Sequence, residues 1–155
     1  MKTSQTIEIL NHLIEINNDR SAGYYKAVEE LKSSNDDLKA IFTGMANDSK
    51  TFAQELTQMV INLGGEFATG TSSKGNLYRV WMDLATTYTE NGKQAILNAC
   101  KYGEDEAQNA YEAALSSDST MDPQVKTIIA EQHATLDTAL DIIRRFRDAN
   151  NLVHG

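Results

Sequence analysis

Four stretches of the chain repeat inward-type residues at alternating spacings of three and four, and this periodicity limits the fold more than any other feature. Such spacing lines side chains along one face of a helix. The first stripe reads Ile7, Leu10, Ile14, Asn17, Ser21, Tyr24, Val28 and Leu31; the second reads Leu38, Phe42, Met45, Ser49, Phe52, Leu56, Met59 and Leu63. The third runs through Leu97, Cys100, Glu104, Ala107, Tyr111 and Ala114. The fourth takes Val125, Ile129, Gln132 or His133, Leu136, Leu140 and Ile143. No strand period competes. Only 9 Gly and 1 Pro among 155 residues fit long, uninterrupted helices.

Local signals set the boundaries. Ser4 is the expected N-cap of helix one, which ends in the polar Ser33-Ser34-Asn35. Asp36 and Asp37 open helix two, where the helix dipole favours negative charge, and Gly64-Gly65 closes it. The segment from Gly65 to Gly92 is too long for a tight hairpin and begins with the Gly/Ser/Thr-rich stretch Ala68 to Gly75. Within it Leu77, Val80, Trp81, Leu84 and Tyr88 have helical spacing, which predicts a short extra helix across the bundle. Helix three starts near Asn91 and breaks at Ser116 to Thr120; Asp122-Pro123 starts helix four, which frays from Asn150 onward. The expectation is one all-α domain over residues 1–155, an antiparallel four-helix bundle. Two hairpins joined by one long crossover is the ferritin-like form of that architecture.

Charge narrows the partners. Fourteen basic against 22 acidic residues give a net charge of −8, with no basic cluster to track a phosphate backbone. Nucleic acid and anionic membranes are therefore not expected as partners. No segment has the roughly 20 apolar residues of a membrane span, and the N-terminus lacks the pattern of a signal peptide. A cytoplasmic location is expected, and the lone Cys100 reads as a small buried hydrophobe. Ile9, Leu13 and Ile16 form a second apolar stripe on helix one, and Trp81 beside Arg79 is an anchor of the kind found at interfaces. Both are consistent with packing inside the bundle, the stripe against the crossover helix and Trp81 as a lid, or with an unidentified protein partner, and the expected state is a monomer or a small homo-oligomer.

Each stripe is interrupted near its middle: Asn17 and Ser21, Ser49, Glu104, and Gln132 with His133. Antiparallel packing brings these to one level, and buried polar groups are costly unless hydrogen-bonded or coordinated. Bundles of this type place di-iron or di-manganese centres there, using a Glu from each of two helices and Glu-x-x-His from the others. Here Ile9, Ala130 and Asn151 precede His12, His133 and His154 by three, so no Glu-x-x-His exists. Asn17 stands where a Glu belongs, and Ser49 with Phe52 where Glu and His belong. Glu104 and His133 are the remaining candidate ligands for iron, manganese or zinc. The competing reading is a hydrogen-bonded layer with no cofactor, in which Glu104 pairs with His133. No nucleophile elbow, P-loop or dinucleotide fingerprint occurs, so no residue is assigned a catalytic role.

Leu10-Asn11-His12-Leu13-Ile14-Glu15, Phe52-Ala53-Gln54-Glu55-Leu56, Leu63-Gly64-Gly65, Leu77 through Leu84 (LYRVWMDL), and Gly103-Glu104-Asp105 with Tyr111-Glu112-Ala113-Ala114-Leu115 carry a resemblance. In order and spacing they resemble a bacterial ferritin-like four-helix-bundle family of unknown function, over nearly the whole chain. The resemblance implies a stand-alone bacterial bundle with no established enzyme activity, and it adds no catalytic residue. The expected function is a non-catalytic bundle acting through its surface, in interaction or stress response. The alternative is a metal-binding or redox protein built on Glu104 and His133.

Overall fold

The computed structural model describes residues 2–31, 35–70, 92–117 and 121–154. Among them all regular structure is helical: α1 (Lys2–Glu30), α2 (Asp36–Asn62), α3 (Gly92–Leu115) and α4 (Pro123–His154). The extra helix expected around Leu77 to Tyr88, with Trp81 and Arg79, lies outside the described residues. At 1.5 Å per residue, α2 is about 40 Å long.

Side-chain contacts give the directions. Tyr24 packs on Phe42 near one end of the α1–α2 pair, while Ile7 lies against Gly65 at the other, so these helices are antiparallel. Asn17 meets Tyr111 and Tyr24 meets Glu104, which makes α1 and α3 antiparallel as well. It follows that α2 and α3 run parallel, and the chain must travel the length of the bundle between them. Its first steps back are visible. Asn11 bonds the carbonyl of Glu66 and the amide of Ala68, and Asn18, seven residues further along α1, bonds the carbonyl of Gly70. Two asparagines one heptad apart thus stitch the start of the crossover to α1.

The termini follow local chemistry with one exception. Asp122 caps α4 by accepting from the amide of Gln124 at 2.8 Å, with Pro123 at the first helical position. α2 closes with Gly64 at φ +81°, its amide on Ile61 and that of Gly65 on Val60, the paired bonds of a Schellman motif. A Cβ on Gly65 would lie 2.6 Å from Ile7, so the second glycine is needed for close approach. Ser4, expected as the cap of α1, lies instead inside a helix that begins at Lys2. Thr3, Ser4 and Gln5 are exposed, so the first amides of this helix can be satisfied by water without a side-chain cap.

The core matches the stripes of α2 and α3 closely: Leu38, Phe42, Met45, Ser49, Leu56 and Met59 are buried, as are Leu97, Cys100, Glu104, Ala107, Tyr111 and Ala114. On α4 Gln132 is the buried member of the pair left open, and His133 is half-buried. α1 departs from expectation. Ser21 and Val28 are half-buried, and Arg20 and Ala27 point inward in their place. The reason is electrostatic and appears in the polar layer.

Candidate functional site

Asn17, Arg20 and Tyr24 lie three and four residues apart on α1 and share its inner face. Across the bundle α3 presents Glu104, fully buried at the same level. The Arg20 guanidinium grips it bidentately: Nε donates to one carboxylate oxygen and Nη2 to the other, each at 2.8 Å. The Tyr24 hydroxyl donates to the second oxygen at 2.6 Å, and Arg20 lies 5.1 Å over the Tyr24 ring. Planar, bidentate pairing of this kind is the strongest form of charge-assisted hydrogen bond a side chain makes.

From Arg20 a chain of hydrogen bonds crosses all four helices. Arg20 Nη1 donates to Ser49 Oγ at 2.7 Å and to the Met45 carbonyl at 3.1 Å. Ser49 donates to Asn17 Oδ1 at 2.9 Å, and Asn17 Nδ2 donates to the Tyr111 hydroxyl at 2.7 Å and to the Leu13 carbonyl at 2.8 Å. Tyr111 donates to Gln132 Oε1 at 2.6 Å, and Gln132 Nε2 donates to Glu55 at 2.9 Å. Every donor faces the same way, from the buried cation to a carboxylate on the exposed side of α2. The direction also fixes both amide orientations, since a flipped Asn17 would set an acceptor against the Leu13 carbonyl.

Burial by itself would pull the Arg20 pKa down, yet the Glu104 charge and hydrogen bond hold it above the ordinary value, so the cation persists. Burial raises Tyr24 well above the phenol value, and the Glu104 charge adds to the effect. Tyr111 is raised mainly by burial, opposed by its bond from Asn17. Both phenols are therefore neutral donors at physiological pH. Arg20, Tyr24, Ser49, Glu104 and Tyr111 have no exposed surface, so the layer offers a substrate no approach. Amides at Asn17 and Gln132 interrupt any proton relay through it. What the arrangement can do is tie four helices into one register.

The two residues nominated as metal ligands have separate surroundings. Glu104 has both oxygens occupied by Arg20 and Tyr24. His133 lies on the α3–α4 side, its ring stacked on Tyr111 at 6.5 Å, with Nε2 3.9 Å from Glu112 and Nδ1 4.0 Å from Asp137. No hydrogen bond or ion pair joins Glu104 to His133. Among the described residues, no three His, Cys, Asp or Glu side chains converge as a set that could hold a metal ion. Sequence reasoning missed Arg20, Tyr24 as a partner of Glu104, and Glu55. The available signal was Arg20's place three after Asn17 and four before Tyr24, together with the need of a buried Glu104 for a cation.

Residues 5–117 match the model of a family described as a domain of unknown function (DUF2383). No curated protein matches the chain.

Proposed function

This chain belongs to the DUF2383 family, whose function is unknown, so its role is read from its own side chains, and we propose a non-catalytic ferritin-like bundle closed by an internal cation. In this reading a guanidinium takes the central place that ferritin-like relatives give to metal ions, and the protein acts through its surface. The setting is the bacterial cytoplasm, with an interaction or stress-associated role drawn from superfamily analogy. The parallel course of α2 and α3, with a crossover stitched along α1, supports the ferritin-like assignment.

One observation carries the closed core: both oxygens of Glu104 are held by Arg20, at 2.8 Å each. A paired metal centre needs carboxylates whose lone pairs are open to bridge, and positive charge beside them repels a second cation. The residues at that level do not fit such a centre, with Asn17 and Ser49 already spent on one another and Arg20 occupying the space between helices.

Elemental analysis of protein purified without chelator tests the reading, with Arg20→Met/Glu104→Leu as the comparison, a pair replacement that keeps the core apolar. The expected result is that any iron, manganese or zinc found is the same in both proteins. Stoichiometric metal in the wild type that disappears in the double variant, and survives His133→Gln, contradicts it. Light scattering tests the surface role: a monomer or small oligomer is expected, and a many-subunit cage contradicts it.

A further inference from the structure

Of the neighbouring helices, α2 and α4 approach each other least, and two cavities lie along the seam between them. One, of about 400 Å³, joins the end of α2 to the start of α4 and is lined on its apolar side by Met59, Leu63, Val125 and Ile128. The other, of about 350 Å³, joins the start of α2 to the later part of α4, with Ile41, Met45, Ala139 and Ile142. Leu63, Ile128, Ile41 and Ile142 are half-buried, so this apolar surface can be reached from outside.

The two cavities are parts of one groove. Residues seven apart share a helix face, and Ile41, Asp48, Glu55 and Asn62 are spaced that way on α2, as Val125, Gln132 and Ala139 are on α4. Between the cavities Gln132 bonds Glu55, and Gln132 is 2% exposed, so this bridge forms floor and does not block the mouth. From Ile41 to Asn62 the groove is about 30 Å long, the length of a helix of about 20 residues.

Its edges have one sign of charge. Glu55 and Asp122 line the first cavity and Asp48 the second, and among the described residues no Lys or Arg lines either. Glu131 is exposed and one heptad from both Gln124 and Thr138, which continues the acidic edge of α4 between the cavities. Lys50, two residues after Asp48, lies on the α1–α2 side with Phe67 to Thr69, where the crossover begins.

We propose that this groove docks a basic amphipathic helix of another protein. Its apolar residues, spaced three and four apart, enter the two cavities, and its Lys and Arg side chains meet Asp48, Glu55, Asp122 and Glu131 along both edges. Charge decides among the possible occupants. A second copy docked by the same face would set these carboxylates against their own counterparts, on chains that each have a net charge of −8. Anionic lipid and nucleic acid are repelled by the same edges. Met45 and Met59 suit a floor that adapts to side chains of differing shape. The proposal rests on the reading above that the protein acts through its surface, and gives that surface a place and a partner chemistry.

The experiment is fluorescence anisotropy of the full chain with a labelled peptide of about 18 residues, patterned as a helix with Leu on one face and Lys on the other. Saturable one-to-one binding is expected. Asp48→Asn/Glu131→Gln should weaken it by at least about fivefold, and Glu8→Gln/Glu112→Gln, an equal loss of exposed charge on α1 and α3, by no more than about twofold. Gly44→Gln tests shape without charge. A Cβ at Gly44 meets nothing within 4 Å, so the new side chain stands in the second cavity without straining the helix, and affinity should fall by at least about fivefold. Thermal melts of these variants should be no lower than that of the wild type. The proposal is overturned by the absence of saturable binding, by groove variants that bind as the wild type does, or by equal binding of a Leu/Glu helix or a Lys/Gln peptide without an apolar face. A dimer that Gly44→Gln dissociates, seen by light scattering, also overturns it, since a second copy then fills the groove. Metal held at Glu104 would fail the closed-core reading and leave this titration unmoved, whereas a failed titration leaves Glu104 in the grip of Arg20.

Discussion

The centre of the bundle and the outer face of the α3–α4 hairpin treat buried polar atoms in opposite ways. At the centre Glu104 receives three hydrogen bonds, and each link from Arg20 to Glu55 has a donor meeting an acceptor. One residue past Gln132 on α4 and three before Tyr111 on α3 the pattern changes, and His133 Nε2 and Gln108 Oε1 have none. Tyr111 belongs to both regions, its hydroxyl in the chain and its ring on His133. A saturated network fixes helix register and excludes ligands.

The largest test of that contrast is Glu104→Gln. Removing one partner leaves Arg20 as an uncompensated buried charge, and a loss of about 3–5 kcal/mol is expected in chemical denaturation. Next is Tyr111→Phe, which strips the middle of the chain, orphans Gln132 Oε1 and leaves Asn17 Nδ2 with only its bond to the Leu13 carbonyl, at about 1–3 kcal/mol.

Alkaline pH probes the same layer without mutation. Tyr24 and Tyr111 have folded pKa values raised above the ordinary 10.0, so their contribution is fully present below about pH 10. Above it the unfolded chain ionises first, and stability falls by about 1.4 kcal/mol per pH unit for each tyrosine. Phenolate absorbance should show these two rings titrating only with unfolding; early, non-cooperative ionisation of all the tyrosines would mean the layer is open. Smallest is His133→Leu. It removes an unsatisfied nitrogen, so a change within about 0.5 kcal/mol is expected, where the central substitutions cost several times more.

Fold and site were unequally legible. The stripes of α2 and α3, the Gly64-Gly65 stop and the Asp122-Pro123 start are all local, and local chemistry decided them correctly. On α1 the reading slipped by one residue, to Ser21 and Val28 in place of Arg20 and Ala27. Hydropathy places arginine outside, and only a partner 84 residues away reverses that preference. The same long-range pairing explains why Glu104 was assigned to His133: the periodicity allows either Gln132 or His133 as the inner residue of α4, and a stripe does not say which partner meets a charge. Asn11 and Asn18 were unreadable for a similar reason, because the groups they bond are backbone atoms of a distant loop.

A double-mutant cycle at Arg20 and Glu104 tests the closed core most directly. Arg20→Met, Glu104→Leu and their combination are compared by urea denaturation. If the guanidinium and carboxylate neutralise one another inside the bundle, each single variant loses about 3–5 kcal/mol and the double variant loses far less than the sum. Losses that simply add would mean the two charges do not depend on each other, and would contradict the account.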